Sequence, residues 1–190
     1  MAKVYVFLAD GFEDIEALAP IDILRRGGVE VVTVSIMPDI IVESAHGVQV
    51  VADTLFDDVA DFSDADILVL PGGMPGAANL YAHEGVRTAL LNQSQQDGRI
   101  AAICAAPAVV LAPLGLLDGK HATCYPGFER AFTDTTYTAG LVTVDGLITT
   151  ACGPGAAMAF GYELLSQLGA AEAAEALKEG MMYNKATLKS

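Results

Sequence analysis

Arg99-Ile100-Ala101-Ala102-Ile103-Cys104-Ala105-Ala106-Pro107 is the stretch whose reading decides the fold. A short apolar β-run ends on one cysteine, small residues follow, and a proline opens the helix-compatible run Ala108-Val109-Val110-Leu111-Ala112. Proline is tolerated in a first helical turn because the N–H it lacks would be unpaired there anyway. A strand–turn–helix junction of this kind sets its residue at the edge of a sheet, beside free backbone N–H groups and the positive end of a helix dipole. Those conditions favour a thiolate, so the position predicts a reactive Cys104 with a pKa below the ordinary value of about 8.5. Position alone fits an inert core cysteine equally well, because free Cys is among the most buried residue types.

Outward from this junction, further β-rich runs bounded by turn residues occur at 3–9, 30–36, 66–70 and 121–125, with the junction strand itself at 99–104. Helical patterns lie between them. One covers 13–26, with Ile15, Leu18, Ile21, Ile23 and Leu24 near helical spacing, a kink expected at Pro20 and an end at Gly27-Gly28. Another covers 85–96, and two more close the chain to about residue 168 and from 171 to 180. Strands alternating with helices predict βαβ units and a mainly parallel sheet covered on both faces. Residues 40–51, with His46-Gly47 near the middle, read as an excursion or hairpin. Asp145-Gly146 between two β-runs (141–150) is a strong hairpin signal. No linker or repeat interrupts the chain, so one α/β domain over 1–190 is expected.

The composition narrows the function. A length of 190 residues can bury a sizeable core, and the apolar runs, within a chain that is 53% hydrophobic, are too short to span a membrane. Three cysteines do not make a disulfide framework, and no leader is apparent, so a cytoplasmic location is expected. A net charge of -14 argues against nucleic acid or an anionic membrane as partner.

In parallel α/β sheets ligands bind outside the carboxyl ends of the strands. Four segments converge there: Ala9-Asp10-Gly11-Phe12-Glu13-Asp14-Ile15-Glu16, Pro71-Gly72-Gly73, Cys104, and Cys124-Tyr125-Pro126-Gly127. Asp10, Glu13 and Asp14 fit exposed acids at a helix N-terminus. Glu16 has apolar neighbours, and a carboxyl buried beside a thiol would stay protonated or share a proton. Gly72-Gly73 lets backbone approach a ligand closely, but no phosphate-loop pattern accompanies it. Cys124 is placed as a possible resolving thiol. His46 and His83 have no ligand partners at metal spacing, and His121 reads as structural or exposed, so no metal is expected.

The first-strand segment, Leu70-Pro71-Gly72-Gly73, the Cys104 junction and Cys152-Gly153-Pro154-Gly155 together resemble the ThiJ/PfpI superfamily, in order and spacing over nearly the whole chain. Within it they are most similar to the branch of the parkinsonism-associated protein deglycase and its bacterial homologues. The resemblance implies a flavodoxin-like three-layer sandwich with a cysteine nucleophile elbow, and a homodimer using the first helix. It implies Cys104 as an oxidisable nucleophile and Glu16 as the carboxyl bonded to its sulfur. Backbone N–H groups of Gly73 and Ala105 would receive an oxyanion or sulfinate. The activities implied are cofactor-free conversion of small dicarbonyls such as methylglyoxal, action on glycated groups, and, as an alternative, redox sensing or chaperone behaviour through Cys104 sulfinate. The protease-like branch carries His where this chain has Ala105, and the deglycase branch often carries His where this chain has Tyr125. No histidine is therefore assigned to Cys104, a protease is not expected, and Tyr125 is left to donate a hydrogen bond to substrate.

Overall fold

The computed structural model describes residues 2–187. In chain order the strands and helices are β1 (Lys3–Leu8), α1 (Asp14–Arg26), β2 (Glu30–Ser35), β3 (Ile41–Glu43), β4 (Gln49–Val51), β5 (Thr54–Leu55), β6 (Ile67–Leu70), α2 (Gly76–Ala82) and α3 (Glu84–Gln95). They continue with β7 (Arg99–Ile103), β8 (His121–Ala122), β9 (Thr136–Tyr137), β10 (Val142–Asp145), β11 (Ile148–Ala151), α4 (Ala157–Gln167), α5 (Ala171–Gly180) and α6 (Tyr183–Thr187).

Seven strands form the central sheet in the order β10-β11-β7-β6-β1-β2-β5, parallel throughout except for the β10–β11 hairpin. The inner strands are nearly unbroken apolar runs because both of their faces are covered. Alternation along each strand divides the core in two. Val4, Val6, Leu8, Ile67, Val69, Ala101 and Ile103 face α1 and α4. Tyr5, Phe7, Leu68, Leu70, Ile100 and Ala102 face α2 and α3. This is the expected flavodoxin-like α/β architecture, and it brings the loops after β1, β6, β7 and β11 to one edge.

Several local expectations change. Residues 121–125 do not form a fifth strand of the main sheet: only His121–Ala122 is extended, and it pairs with β9 in a separate two-stranded sheet. The place beside β7 is taken by β11, which pairs with it in parallel from Ile148↔Ile100 to Ala151↔Ile103. The segment after Cys104 is not a regular helix either. Pro107–Leu111 forms a wide π-type turn closed by Ala112 N–H on the Pro107 carbonyl, and a 3-10 turn follows at Ala112–Leu114. Pro113, one turn further on, withdraws a donor that a longer α-helix would need. α1 runs through Pro20, which is buried, and 41–51 is the expected hairpin.

Candidate active site

Cys104 follows the last residue of β7 and adopts φ 65°, in the left-handed region that costs a non-glycine residue on the order of 1–3 kcal/mol. Its neighbours hold it there. Its N–H donates to the Ala151 carbonyl at 2.8 Å, and its carbonyl accepts from Tyr125 N–H at 2.9 Å. The turn aims the side chain away from the strand's alternation and into the core between the sheet and α1. The residue remains 8% exposed.

Glu16 stands in the first turn of α1 and is fully buried. Gly72, just beyond β6, fixes that turn twice: its carbonyl accepts Glu13 N–H at 3.0 Å, and its N–H donates to Glu16 Oε2 at 3.0 Å. Glu13 caps the helix by accepting Glu16 N–H at 2.8 Å. Gly72 has no room for a side chain, because a Cβ there would lie 2.5 Å from Glu16 Oε2 and 2.6 Å from Cys104 Cβ. The Glu16 carboxyl and the Cys104 side chain are thus packed against the same glycine. Glu16 Oε1 makes no aligned hydrogen bond, yet the thiol is close enough that each group alters the other's affinity for its proton.

The electrostatics revise one expectation. Burial pushes the Glu16 carboxyl up to about 7, with the charge of Glu13 adding to it and the Gly72 N–H opposing. Burial also pushes the Cys104 thiol up, and a charged Glu16 pushes it further. Backbone N–H groups of Gly73 and Ala105 act on the sulfur in the opposite sense without overcoming this. The thiol pKa is raised, not lowered as the junction alone implies, because the turn delivers the sulfur to a desolvated pocket beside an acid. The two groups titrate as a coupled pair.

The other candidates are distributed around this pair. Gly73, at φ 88°, packs on the turn before α1, where a Cβ would meet Glu13 N at 2.5 Å. Tyr125 is 46% exposed, with its ring edge-to-face against Phe128 and in contact range of Gly153. Each histidine is engaged elsewhere. His83 Nδ1 accepts Val86 N–H at 3.2 Å and its ring packs on Phe56, while His121 meets Asp145 at 3.1 Å.

His46 departs from its sequence reading. The β3–β4 hairpin carries it to Asp14, with Nδ1 2.7 Å from Oδ2, and donor atoms of Glu13, Asp14 and His46 lie within 4.8 Å of one another. Asp14 also accepts from Ser44 at 2.6 Å, so this rim cluster is already paired internally. The hydrogen bond to Asp14 raises the His46 pKa. A cavity of about 490 Å³ between the 56–63 segment and α3 is lined by neither Cys104 nor Glu16.

Known proteins resemble this chain over most of its length. Residues 2–167 match the DJ-1/PfpI family. Protein DJ-1 homolog B of Arabidopsis thaliana is 42% identical over 168 residues, covering 87% of this chain and 38% of that protein. The chain spans less than half the length of this relative and of Protein DJ-1 homolog A. Glutathione-independent glyoxalase DJR-1.2 of Caenorhabditis elegans is 30% identical over 175 residues, covering 91% of each chain. The solved structure of oxidized Toxoplasma gondii DJ-1 superposes with a TM-score of 0.92 at 38% identity, covering 96% of this chain and 98% of that one.

Proposed function

This chain belongs to the DJ-1/PfpI family, and on that footing we propose that it is a cysteine-dependent stress-protection enzyme that converts small reactive carbonyls without a cofactor. Substrates of the class of methylglyoxal, glyoxal or glycated groups suit a site built around one sulfur that remains 8% exposed. The placement of the Glu16 carboxyl and the Cys104 sulfur against Gly72 carries this assignment.

The chemistry follows from the pair. One proton passes from sulfur to the Glu16 carboxylate only as the sulfur attacks, because the pocket raises the thiol's proton affinity above that of the acid. The sulfur adds to the aldehyde carbon and gives a hemithioacetal, with the developing oxyanion received by the Gly73 and Ala105 N–H groups. Glu16, with a proton affinity near neutrality, returns and removes protons as the carbonyl is rearranged to a thioester. Water then releases the hydroxy acid. Tyr125, at the mouth, donates a hydrogen bond to a substrate oxygen. Ala105 stands where the protease-like branch carries its histidine, so the histidine base of peptide hydrolysis is missing.

The deciding experiment is methylglyoxal turnover by the purified protein with thiols absent. Catalytic turnover lost in Cys104→Ser supports the enzyme. A second reading, redox sensing through a Cys104 sulfinate, is favoured by the same two N–H groups and the Glu16 acid, which can hold the sulfinate oxygens. Peroxide consumption that stops at stoichiometric oxidation, with no dicarbonyl turnover, would select it.

A further inference from the structure

β7 and β11 run parallel with Ile103 opposite Ala151, and Cys104 N–H extends that ladder to the Ala151 carbonyl at 2.8 Å. The next residue along each path is a cysteine: Cys104 on one, Cys152 on the other. The two strands that end on Ile103 and Ala151 lie about 4.8 Å apart, so the cysteines that follow leave the sheet from neighbouring points, near the Cα separation of about 4.4–6.8 Å that a disulfide needs. Both side chains lie on the same side of the sheet, since Cys104 belongs to the core under α1 and α4 and Cys152 packs against it. Both thiols also respond to one carboxyl. After burial, the charge of Glu16 raises the proton affinity of Cys152 as it does that of Cys104.

Cys124, the resolving thiol expected from sequence, is placed differently. It lies fully buried beyond β8, and burial with the charge of Glu129 pushes its thiol up to about 12. Cys152 is only partly buried, just beyond the end of β11, with its N–H donating to the Leu141 carbonyl at 3.0 Å.

We propose that Cys152 is the resolving thiol of Cys104, closing a reversible intrachain Cys104–Cys152 disulfide after oxidation by a hydroperoxide. This rests on the nucleophilic Cys104 of the proposed function. The Cys104 thiolate attacks one peroxide oxygen, the O–O bond breaks, and water or an alcohol departs after taking up a proton, leaving Cys104 as a sulfenic acid. The Cys152 sulfur then attacks the Cys104 sulfur. The S–O bond breaks, and hydroxide leaves with the Cys152 proton as water. Two thiols have thereby given two electrons to one hydroperoxide. The bridge withholds Cys104 from carbonyl substrates and diverts it from irreversible sulfinic acid, and thiol exchange reopens it.

The test is peptide mapping by mass spectrometry after graded hydrogen peroxide, alkylation and non-reducing digestion. Linked peptides carrying residues 104 and 152 are expected in the wild-type and Cys124→Ser proteins, disappearing on dithiothreitol treatment. Cys152→Ser should instead accumulate Cys104 sulfinate at peroxide doses the wild type withstands. Sulfinate appearing in the wild type without a 104–152 bridge, or a bridge to Cys124, overturns the proposal. Wild-type mapping decides even if the variant fails to fold. Methylglyoxal turnover of the reduced protein is read separately: its absence with the bridge intact removes the enzymatic reading and leaves this one.

Discussion

The Glu16 carboxyl hangs from the N–H of Gly72, 3.0 Å from Oε2, so a residue of the first helix is positioned by the loop after β6. The bond crosses from one βα unit to another, and the second carboxyl oxygen makes no aligned hydrogen bond among the described residues.

Glu16→Gln keeps the shape and one N–H donor but cannot carry a proton. Dicarbonyl turnover is expected to fall by about 10²–10⁴-fold, the usual worth of a positioned acid–base group. Asp14→Asn, on the rim, should fall far less. Equal, near-native rates in the two variants would reduce Glu16 to a structural acid.

The same carboxyl makes stability depend on pH. Its pKa is raised from 4.5 to about 7 on folding, so between those values the folded chain holds a proton that the unfolded chain has lost. Its stabilising contribution is complete below pH ~4.5 and is lost as pH rises toward 7, by on the order of 3 kcal/mol. Denaturant titrations across this window should show the Glu16→Gln protein gaining on the wild type as pH rises. A constant difference would mean that Glu16 is not desolvated.

Gly72→Ala places a methyl group where Glu16 Oε2 and Cys104 Cβ already stand, at 2.5 and 2.6 Å. Overpacking of this kind costs about 1–3 kcal/mol, and the groups displaced here are those of the site. Turnover should drop to the level of Cys104→Ser while the melting transition remains cooperative. An active, unshifted protein would show that the carboxyl and the sulfur need not share that glycine.

Ile15 and Leu18 lie three apart on α1 and are 52% and 38% exposed. Such an apolar pair on a helix face fits an isologous homodimer. Sedimentation at micromolar concentration is expected to give a dimer, and Leu18→Glu a monomer. A monomeric wild type would remove this expectation and leave the chemistry untouched.

Local features were legible where one segment carries the whole signal. The run into Cys104, the Asp145-Gly146 turn and the helix from Asp14 to Arg26 appear as read, because apolar period, turn chemistry and capping act over a few residues. The neighbour of β7 was not legible. Both 121–125 and 148–151 are β-rich, and which one docks there depends on the path of the chain between them. From that followed the misplacement of Cys124 and the unnoticed position of Cys152. The direction of the Cys104 pKa was hidden for a related reason. The dipole and the Ala105 N–H are local to the junction, whereas burial of the sulfur and the charge of Glu16, which outweigh them, depend on packing with segments distant in sequence.

The backbone of Cys104 is held from both sides by segments made later, with its N–H on Ala151 and its carbonyl on Tyr125. A chain emerging from the ribosome therefore completes β7 long before it can hold the left-handed turn at its end. Until residue 151 has been synthesised and β11 has docked, the cysteine is free to relax to ordinary extended or helical backbone. The finished chain and its nascent form thus hold Cys104 on different backbones, and assembly of the last inner strand separates them.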